Sequence, residues 1–459
     1  MKTTQSLYHP KYGKVKKIIK EWQGGIKMLI EFESGQQKNV LYNELRPYYF
    51  KKINVKSFNK NPLQIRKYIE SLRYGLLNDE LIFDITFDRK KEIETFYNWL
   101  TSSKSTLFLC GKYGTGKTHF LKYIGLWALS KNWAVSYICL DGEEVSLHNP
   151  KKFYQSIINN LKFIYNDEVQ NIEHLLEYIY SRAEKYKDNY FFGNIKDKDL
   201  YVIKKWLKGE EEYDSLPKLR DHQTSGNIYS YLITSISLFL KKEFSLNGLL
   251  ILMDESENIQ NHWLNSYQNS NENNFLRGFY YAVSNHPDLE EDIVSISAEV
   301  GKYGKKTHLR YNGYLPLPFS YKNESYIKLV FALPYTSIEV KNNYIIKNKI
   351  GRIPVIEYLS NKHRGIKELI DIIKDREFLD LEEIDIFYYK YILKKIIYYY
   401  FYSYNWKPSF QQIKKIINIL KTILYDYESD FDPAKIRLKI QAFIINLDKI
   451  RNEGGYDVN

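Results

Sequence analysis

The chain has 459 residues, 44% of them hydrophobic, and a formal net charge of +12. That length exceeds one ordinary core and that apolar content excludes global disorder, so two or three domains are expected. Only two cysteines occur, Cys110 and Cys139, which speaks against a disulfide framework; they read as small apolar packers in a reducing, cytoplasmic protein. The most apolar stretch, residues 388–404, is interrupted by Lys390, Lys394 and Lys395, which argues against a membrane span. The leading residues MKTTQSLYHP lack the apolar core of an export signal.

Residues 1–60 carry 13 Lys and Arg against 4 Asp and Glu. Such an excess suits a polyanion partner through counterion release; solvated lysines of a compositionally biased chain are the alternative. Within residues 1–48, the runs VKKIIKEW, IKMLIEF and QQKNVL are separated by Gly24-Gly25 and Ser34-Gly35, a β-meander pattern. The sequence HPKYGKVKKI, then GG, then IEFESGQQKNV resembles the small Tudor-like barrels appended to some bacterial helicases and transcription-repair factors. The resemblance implies a module that binds protein or nucleic acid, with a purely structural cap as the alternative. Residues 49–62 have no periodicity, carry Lys51, Lys52, Lys56 and Lys60, and read as a linker.

Helical patterning starts at Leu63, with Ile65, Tyr68, Ile69 and Leu72 on one face. A second helix follows Asp88, its expected cap, and presents Ile93, Phe96, Tyr97 and Leu100. Residues 107–121, LFLCGKYGTGKTHFL, then pass from an apolar strand through a glycine-rich turn into an apolar-periodic helix. The spacing G-x-x-x-x-G-K-[ST] has a physical reason: glycines leave room and positive φ for successive backbone N–H groups to wrap a phosphate at a helix N-terminus. Gly111, Lys112, Tyr113, Gly114, Thr115, Gly116, Lys117, Thr118 and His119 are therefore the expected ATP-binding residues. Lys117 would reach the β and γ oxygens, and Thr118 would ligate Mg²⁺. The segment before such a strand often meets the adenine, which makes Arg73, Gly75 and Phe87 further candidates.

AVSYICL, residues 134–140, supplies a second strand and completes a βαβ unit, the signature of a parallel sheet with ligands at its carboxyl edge. Residues 150–242 read as a helical insertion, with Tyr154, Ile157, Ile158 and Leu161 on one face and Ile228, Tyr231, Leu232, Ser235, Leu238 and Phe239 on another. Its charge-dense part, 185–221, reads as solvated surface. GLLILMDESEN, residues 248–258, places Asp254 and Glu255 at the tip of a buried strand. Asp254 would hold Mg²⁺ and Glu255 would orient or deprotonate the attacking water, so hydrolysis is expected, with Glu255 and Lys117 as the catalytic pair.

Residues 258–274 are rich in Asn and Gln and read as a loop, followed by a helix over 274–283 carrying Arg277. YIKLVFAL, residues 326–333, is a further strand, after which Thr336 is a γ-phosphate sensor candidate; Arg352 and Arg364 are arginine-finger candidates. The last ninety or so residues read as helical and aromatic, with seven lysines between 386 and 425. Pro408 suits the first turn of a helix whose face is Ile413, Ile416, Ile417 and Leu420. Lysines among aromatics can grip single strands; the favoured expectation is a helical lid with a Tyr and Ile core and solvated lysines.

The order IESLRYGLLN, FDRKKEIETFYNWL, LFLCGKYGTGKTHFLKYI, AVSYICLDGEEVSLHNPKKFYQSIINNL and GLLILMDESENI resembles the P-loop ATP-binding proteins of BREX-type bacterial anti-phage defence systems over residues 63–285. Weaker echoes occur in YIKLVFALPYT and IPVIEYLS. The sequence departs from the family pattern in its N-terminal module, in a stretch at 286–325, and in Ala332-Leu333-Pro334, where the family keeps a small Gly-Thr signature. The resemblance implies an AAA-type ATPase working with other defence-system proteins on or near DNA, and a homo-oligomer is compatible with it. The expected fold is an α/β P-loop NTPase: a three-layer core with a parallel sheet over residues 63–370, the helical insertion at 150–242, an N-terminal β-barrel at 1–48, and a helical, lid-like C-terminal region at 371–459. The competing expectation is a nucleic-acid-binding scaffold whose nucleotide site is only structural.

Overall fold

The computed structural model describes residues 7–9, 11–22, 27–41, 46–47, 61–76, 79–86, 89–142, 144–189, 192, 195, 198–213, 222–259, 265–289, 291, 306–310, 324–334, 345–348, 351–354, 369–384, 386–429 and 435–453. The chain forms two compact units, one of residues 1–94, 112–123 and 381–459, the other of residues 95–111 and 124–380.

The second unit is built on a parallel sheet. Its strands are β1 (Thr106–Cys110), β2 (Ala134–Cys139), β3 (Leu249–Asp254), β4 (Ile327–Leu333) and β5 (Arg376–Asp380), in spatial order β5-β1-β4-β3-β2. β1 and β3 are buried along their whole length, as unbroken apolar runs in a sheet covered on both faces must be. The register sets Phe331 beside Met253, Leu333 beside Cys110, and Asp254 beside Cys139. The carboxyl ends of β1, β4, β3 and β2 therefore finish at one edge. At Gly125, in the helix that follows β1, a Cβ would lie 2.9 Å from Leu252 and 3.4 Å from Val135. Only glycine lets that helix approach the sheet so closely.

β5 falls in a stretch read as helical. Its sequence, REFLD, is charged at three of five positions and only half-buried at four of them, because it is an edge strand with a single partner. Such a run carries neither the apolar continuity of β3 nor a helical stripe, so pattern reading passes over it.

Between β2 and β3 lie the helices Pro150–Asn159, Ile172–Arg182, Leu200–Leu207 and His222–Glu243. The first starts at Asn149, whose side chain accepts from the Lys152 N–H at 3.2 Å, with Pro150 in the first turn. The insertion also holds a hairpin, Phe163–Tyr165 against Glu168–Gln170, that the helical reading missed. Asn166 and Asp167 both adopt positive φ, 51° and 63°, as the two-residue turn of a twisted hairpin demands. Phe163, Leu175, Leu176, Tyr229, Leu232 and Phe239 pack into the same apolar cluster as Ile138, Leu249 and Ile251, so the insertion is part of this unit's core. After β3 the Asn- and Gln-rich segment is helical from Ser266 to Val283. A capping box starts it: the Asn265 side chain accepts from the Gln268 N–H, and the Gln268 side chain accepts from the Asn265 N–H.

The first unit contains an antiparallel sheet in the spatial order Gln37–Leu41, Lys27–Phe32, Gly13–Trp22, Leu7–His9, Arg46–Pro47. Val15, Met28, Ile30 and Phe32 of this sheet share one apolar cluster with Ile65, Ile69 and Leu72 of the helix Pro62–Arg73, and with the C-terminal helices Ile386–Ser403, Phe410–Ser429 and Lys435–Asn452. The face expected of the first helix, Ile65, Tyr68, Ile69 and Leu72, is buried as its spacing requires. Of the seven C-terminal lysines, Lys390, Lys407, Lys414, Lys415 and Lys421 are exposed as expected, and two depart from that expectation. Lys394 and Lys395 are only 3% and 1% exposed, with Nζ 5.5 Å and 5.9 Å from the Tyr391 and Tyr399 ring centroids. No described helix is long and apolar enough to cross a membrane.

Candidate functional site

The glycine loop leaves the sheet at Gly111, whose N–H donates to the Leu333 carbonyl at 3.1 Å. Gly114 and Gly116 follow with φ of 81° and 91°, a region that a side chain would strain. The Thr115 hydroxyl donates to the Lys112 carbonyl at 2.9 Å, and Lys117 Nζ donates to the same carbonyl at 3.0 Å. Lys117 Nζ also lies 5.3 Å from the Tyr113 ring centroid, so the lysine folds over the loop. The helix then runs Lys117–Ser130 with no acidic residue in its first turn, and Thr118 is exposed beside that turn. An uncompensated helix N-terminus preceded by a glycine loop favours an anion.

Residues outside the motif hold this loop. The buried Arg89 donates to the Thr115 carbonyl at 2.9 Å, to the Glu382 carbonyl at 2.6 Å, and to Glu92 Oε1 at 2.8 Å. Its counter-ion and both carbonyls satisfy a guanidinium that could not otherwise be buried. Lys112 pairs with Glu383 at 2.9 Å. His119 Nε2 lies 2.7 Å from the Thr86 hydroxyl, which itself donates to the Ile82 carbonyl. Burial first, then the Arg89 and Lys122 charges, lower the His119 pKa to about 4, so the ring is neutral near pH 7.

The acidic tip belongs to the other unit. Asp254 ends β3 and is 4% exposed. Its Oδ2 accepts from the Tyr137 hydroxyl at 2.8 Å and its Oδ1 from the Glu255 N–H at 3.0 Å. Glu255 is exposed and left-handed, with φ 53°, a conformation rare for a residue bearing a side chain. Asn258 Nδ2 lies 3.5 Å from its Oε2 and is itself anchored at 2.8 Å to the Leu140 carbonyl. Burial and the Glu255 and Asp254 carboxylates push the Cys139 thiol up to about 12, so it stays protonated and unreactive.

The other sequence candidates lie elsewhere. Arg73 pairs with Glu70 and with Asp448 at 2.7 Å, inside the helical part of its own unit. At Gly75, φ is 69° and the Arg437 side chain fills the space a Cβ would need. Phe87, Thr336 and Arg364, and the side chain of Arg352, fall outside the described residues. Sequence reading missed Arg89, Glu382, Glu383 and Tyr137. None of them stands in the glycine-loop or strand-tip motif, and each contacts a group more than twenty residues away in the chain.

Among the described residues there is no cluster of three or more His, Cys, Asp or Glu able to cage a metal.

A parallel α/β sheet with a glycine loop leaving its first strand is compatible with the core of a P-loop NTPase. Residues 61–191 match the family model described as BREX system ATP-binding protein BrxC/D. The matched segment takes in the glycine loop and the His148-Asn149-Pro150 cap, and it ends before β3. No curated protein and no solved structure matches the chain.

Proposed function

We propose that this chain binds ATP at residues Gly111, Lys112, Tyr113, Gly114, Thr115, Gly116, Lys117, Thr118 and His119 and hydrolyses it, as the ATPase subunit of a bacterial defence system of the BREX type. The observation that carries the reading is the loop geometry: two left-handed glycines directly before a helix that opens on Lys117-Thr118, on a segment matched by an ATP-binding family. Lys117 neutralises the β and γ oxygens, and the helix N-terminus adds its partial positive charge. Glu255 orients the attacking water and accepts its proton. The donor set fits magnesium: the Thr118 hydroxyl and the Asp254 carboxylate are hard oxygen ligands, and magnesium takes one or two carboxylates plus phosphate oxygens. When bound, the ion would neutralise charge building up on the phosphates. The sheet order, with β4 between β1 and β3, supports an AAA-type core.

The nucleotide cycle would drive partner proteins of the same system, on or near DNA, and the basic N-terminal segment supports a polyanion contact. Purified chain carrying Lys117→Ala should lose ATP binding, and Glu255→Gln should keep binding while losing turnover. Hydrolysis at the wild-type rate in both would refute the reading.

A further inference from the structure

The carboxylate at the tip of β3 is oriented by a residue of the neighbouring strand that no motif contains. Tyr137 pairs in register with Leu252, and Cys139, two residues further along β2, pairs with Asp254. Tyr137 and Asp254 are thus diagonal neighbours on adjacent strands, a separation an aromatic side chain can span. The 2.8 Å bond from the Tyr137 hydroxyl to Oδ2, and the 3.0 Å bond from the Glu255 N–H to Oδ1, give each oxygen one donor. A carboxylate torsion is broad when unrestrained. A donor on each oxygen restrains its plane. Burial sharpens the effect, since a carboxylate with 4% exposure has little water with which to replace a lost donor.

We propose that Tyr137 is a positioning residue for the magnesium nucleotide: it presets the Asp254 carboxylate, and so sets metal-dependent affinity without touching nucleotide or metal itself. This rests on the assignment of Asp254 to the magnesium site. A ring that merely fills space would do the same work as phenylalanine. A positioning hydroxyl would not.

The test uses the full chain with Tyr137→Phe, which keeps the ring and removes only the donor, and Asp254→Asn as the reference. Three quantities are read: Mn²⁺ affinity in the presence of ATP by electron paramagnetic resonance, affinity for a fluorescent ATP analogue in EDTA, and the thermal midpoint by circular dichroism. Losing a hydrogen bond to a charged group predicts a fall in Mn²⁺ affinity of about tenfold in Tyr137→Phe, with the EDTA affinity unchanged. Wild-type Mn²⁺ affinity in Tyr137→Phe, alongside a clear loss in Asp254→Asn, overturns the role of Tyr137 and leaves the site assignment standing. Wild-type affinity in both variants overturns the assignment and the inference together. Equal losses with and without metal, or a collapsed thermal midpoint in Tyr137→Phe, make Tyr137 a packing residue and overturn the inference.

Discussion

The glycine loop and the acidic tip are held in opposite ways. The loop is restrained mainly through its backbone: Gly111 donates to the Leu333 carbonyl, Arg89 takes the Thr115 carbonyl, and the Thr115 hydroxyl and Lys117 both take the Lys112 carbonyl. The tip is restrained through a side chain, with both Asp254 oxygens engaged and Glu255 beside it left exposed. A loop that binds phosphate with its N–H groups needs its carbonyls tied elsewhere, whereas a carboxylate that ligates a metal needs its own plane fixed. Asp254 is buried with a donor on each oxygen while Glu255 is exposed, a division that suits the proposed roles of one metal ligand and one proton acceptor.

On the proposed function, the largest effects come from removing the groups assigned to meet the nucleotide and the attacking water. Glu255→Gln should lower kcat by about 10²–10⁴, the usual contribution of a positioned base, while affinity for ATP stays close to wild type. Lys117→Ala should instead remove affinity, and a titration with a fluorescent ATP analogue separates the two. If Glu255→Gln lost affinity and kept kcat, the contrast between a binding loop and a catalytic tip would be reversed.

Arg89→Ala is expected next. It breaks a buried ion pair, strands Glu92, and frees the Thr115 and Glu382 carbonyls. Removing one partner of such a pair costs about 3–5 kcal/mol, measurable by urea denaturation. ATP affinity should fall as well, because the loop would no longer be preorganised. Arg89→Lys keeps the charge but not the fork, so it should recover only part of the stability. Unchanged stability in Arg89→Ala would show that the loop needs no external tie.

How much of this was legible in the sequence follows from the same contrast. The left-handed turn at Gly114 and Gly116, the helix opening on Lys117 and the place of Asp254 at a strand end could be read because a glycine-rich turn between an apolar run and a helical stripe marks itself locally, and β1, β2, β3 and β4 because buried parallel strands are continuous apolar runs. The helix face Ile65, Tyr68, Ile69 and Leu72 was equally legible from its 3.6-residue period. What escaped has long-range or mixed causes. Arg89 precedes an ordinary helix, and its partners at 115 and 382 are brought to it only by the fold. Tyr137 reads as one more strand aromatic until the register sets it diagonal to Asp254. β5 is charged because it is an edge, and Lys394 and Lys395 are buried among tyrosines although lysines are mostly exposed. Asn166-Asp167 did carry a local turn signal, hidden by the helices on either side.

The smallest expected effect lies at the opposite edge of the sheet and serves as the control. Lys328, near the amino end of β4, donates to the Ser102 carbonyl at 2.6 Å and to the Lys104 carbonyl, just beyond the helix Lys90–Leu100. Burial lowers its pKa to about 8, against the partial opposition of Asp375 and Glu377. Between the folded value and the ordinary 10.5 the unfolded chain therefore binds more protons, so this group's contribution to stability increases as pH rises through that window and is flat below about 8. Lys328→Met removes the titration. The stability difference, wild type minus variant, should be constant from pH 6 to about 7.5 and then grow towards about pH 10, while ATP affinity at pH 7 stays within about twofold of wild type. Urea denaturation at several pH values, paired with one nucleotide titration, decides it. A loss of ATP affinity would show that the amino edge is coupled to the glycine loop and that the restraints on loop and tip are not local.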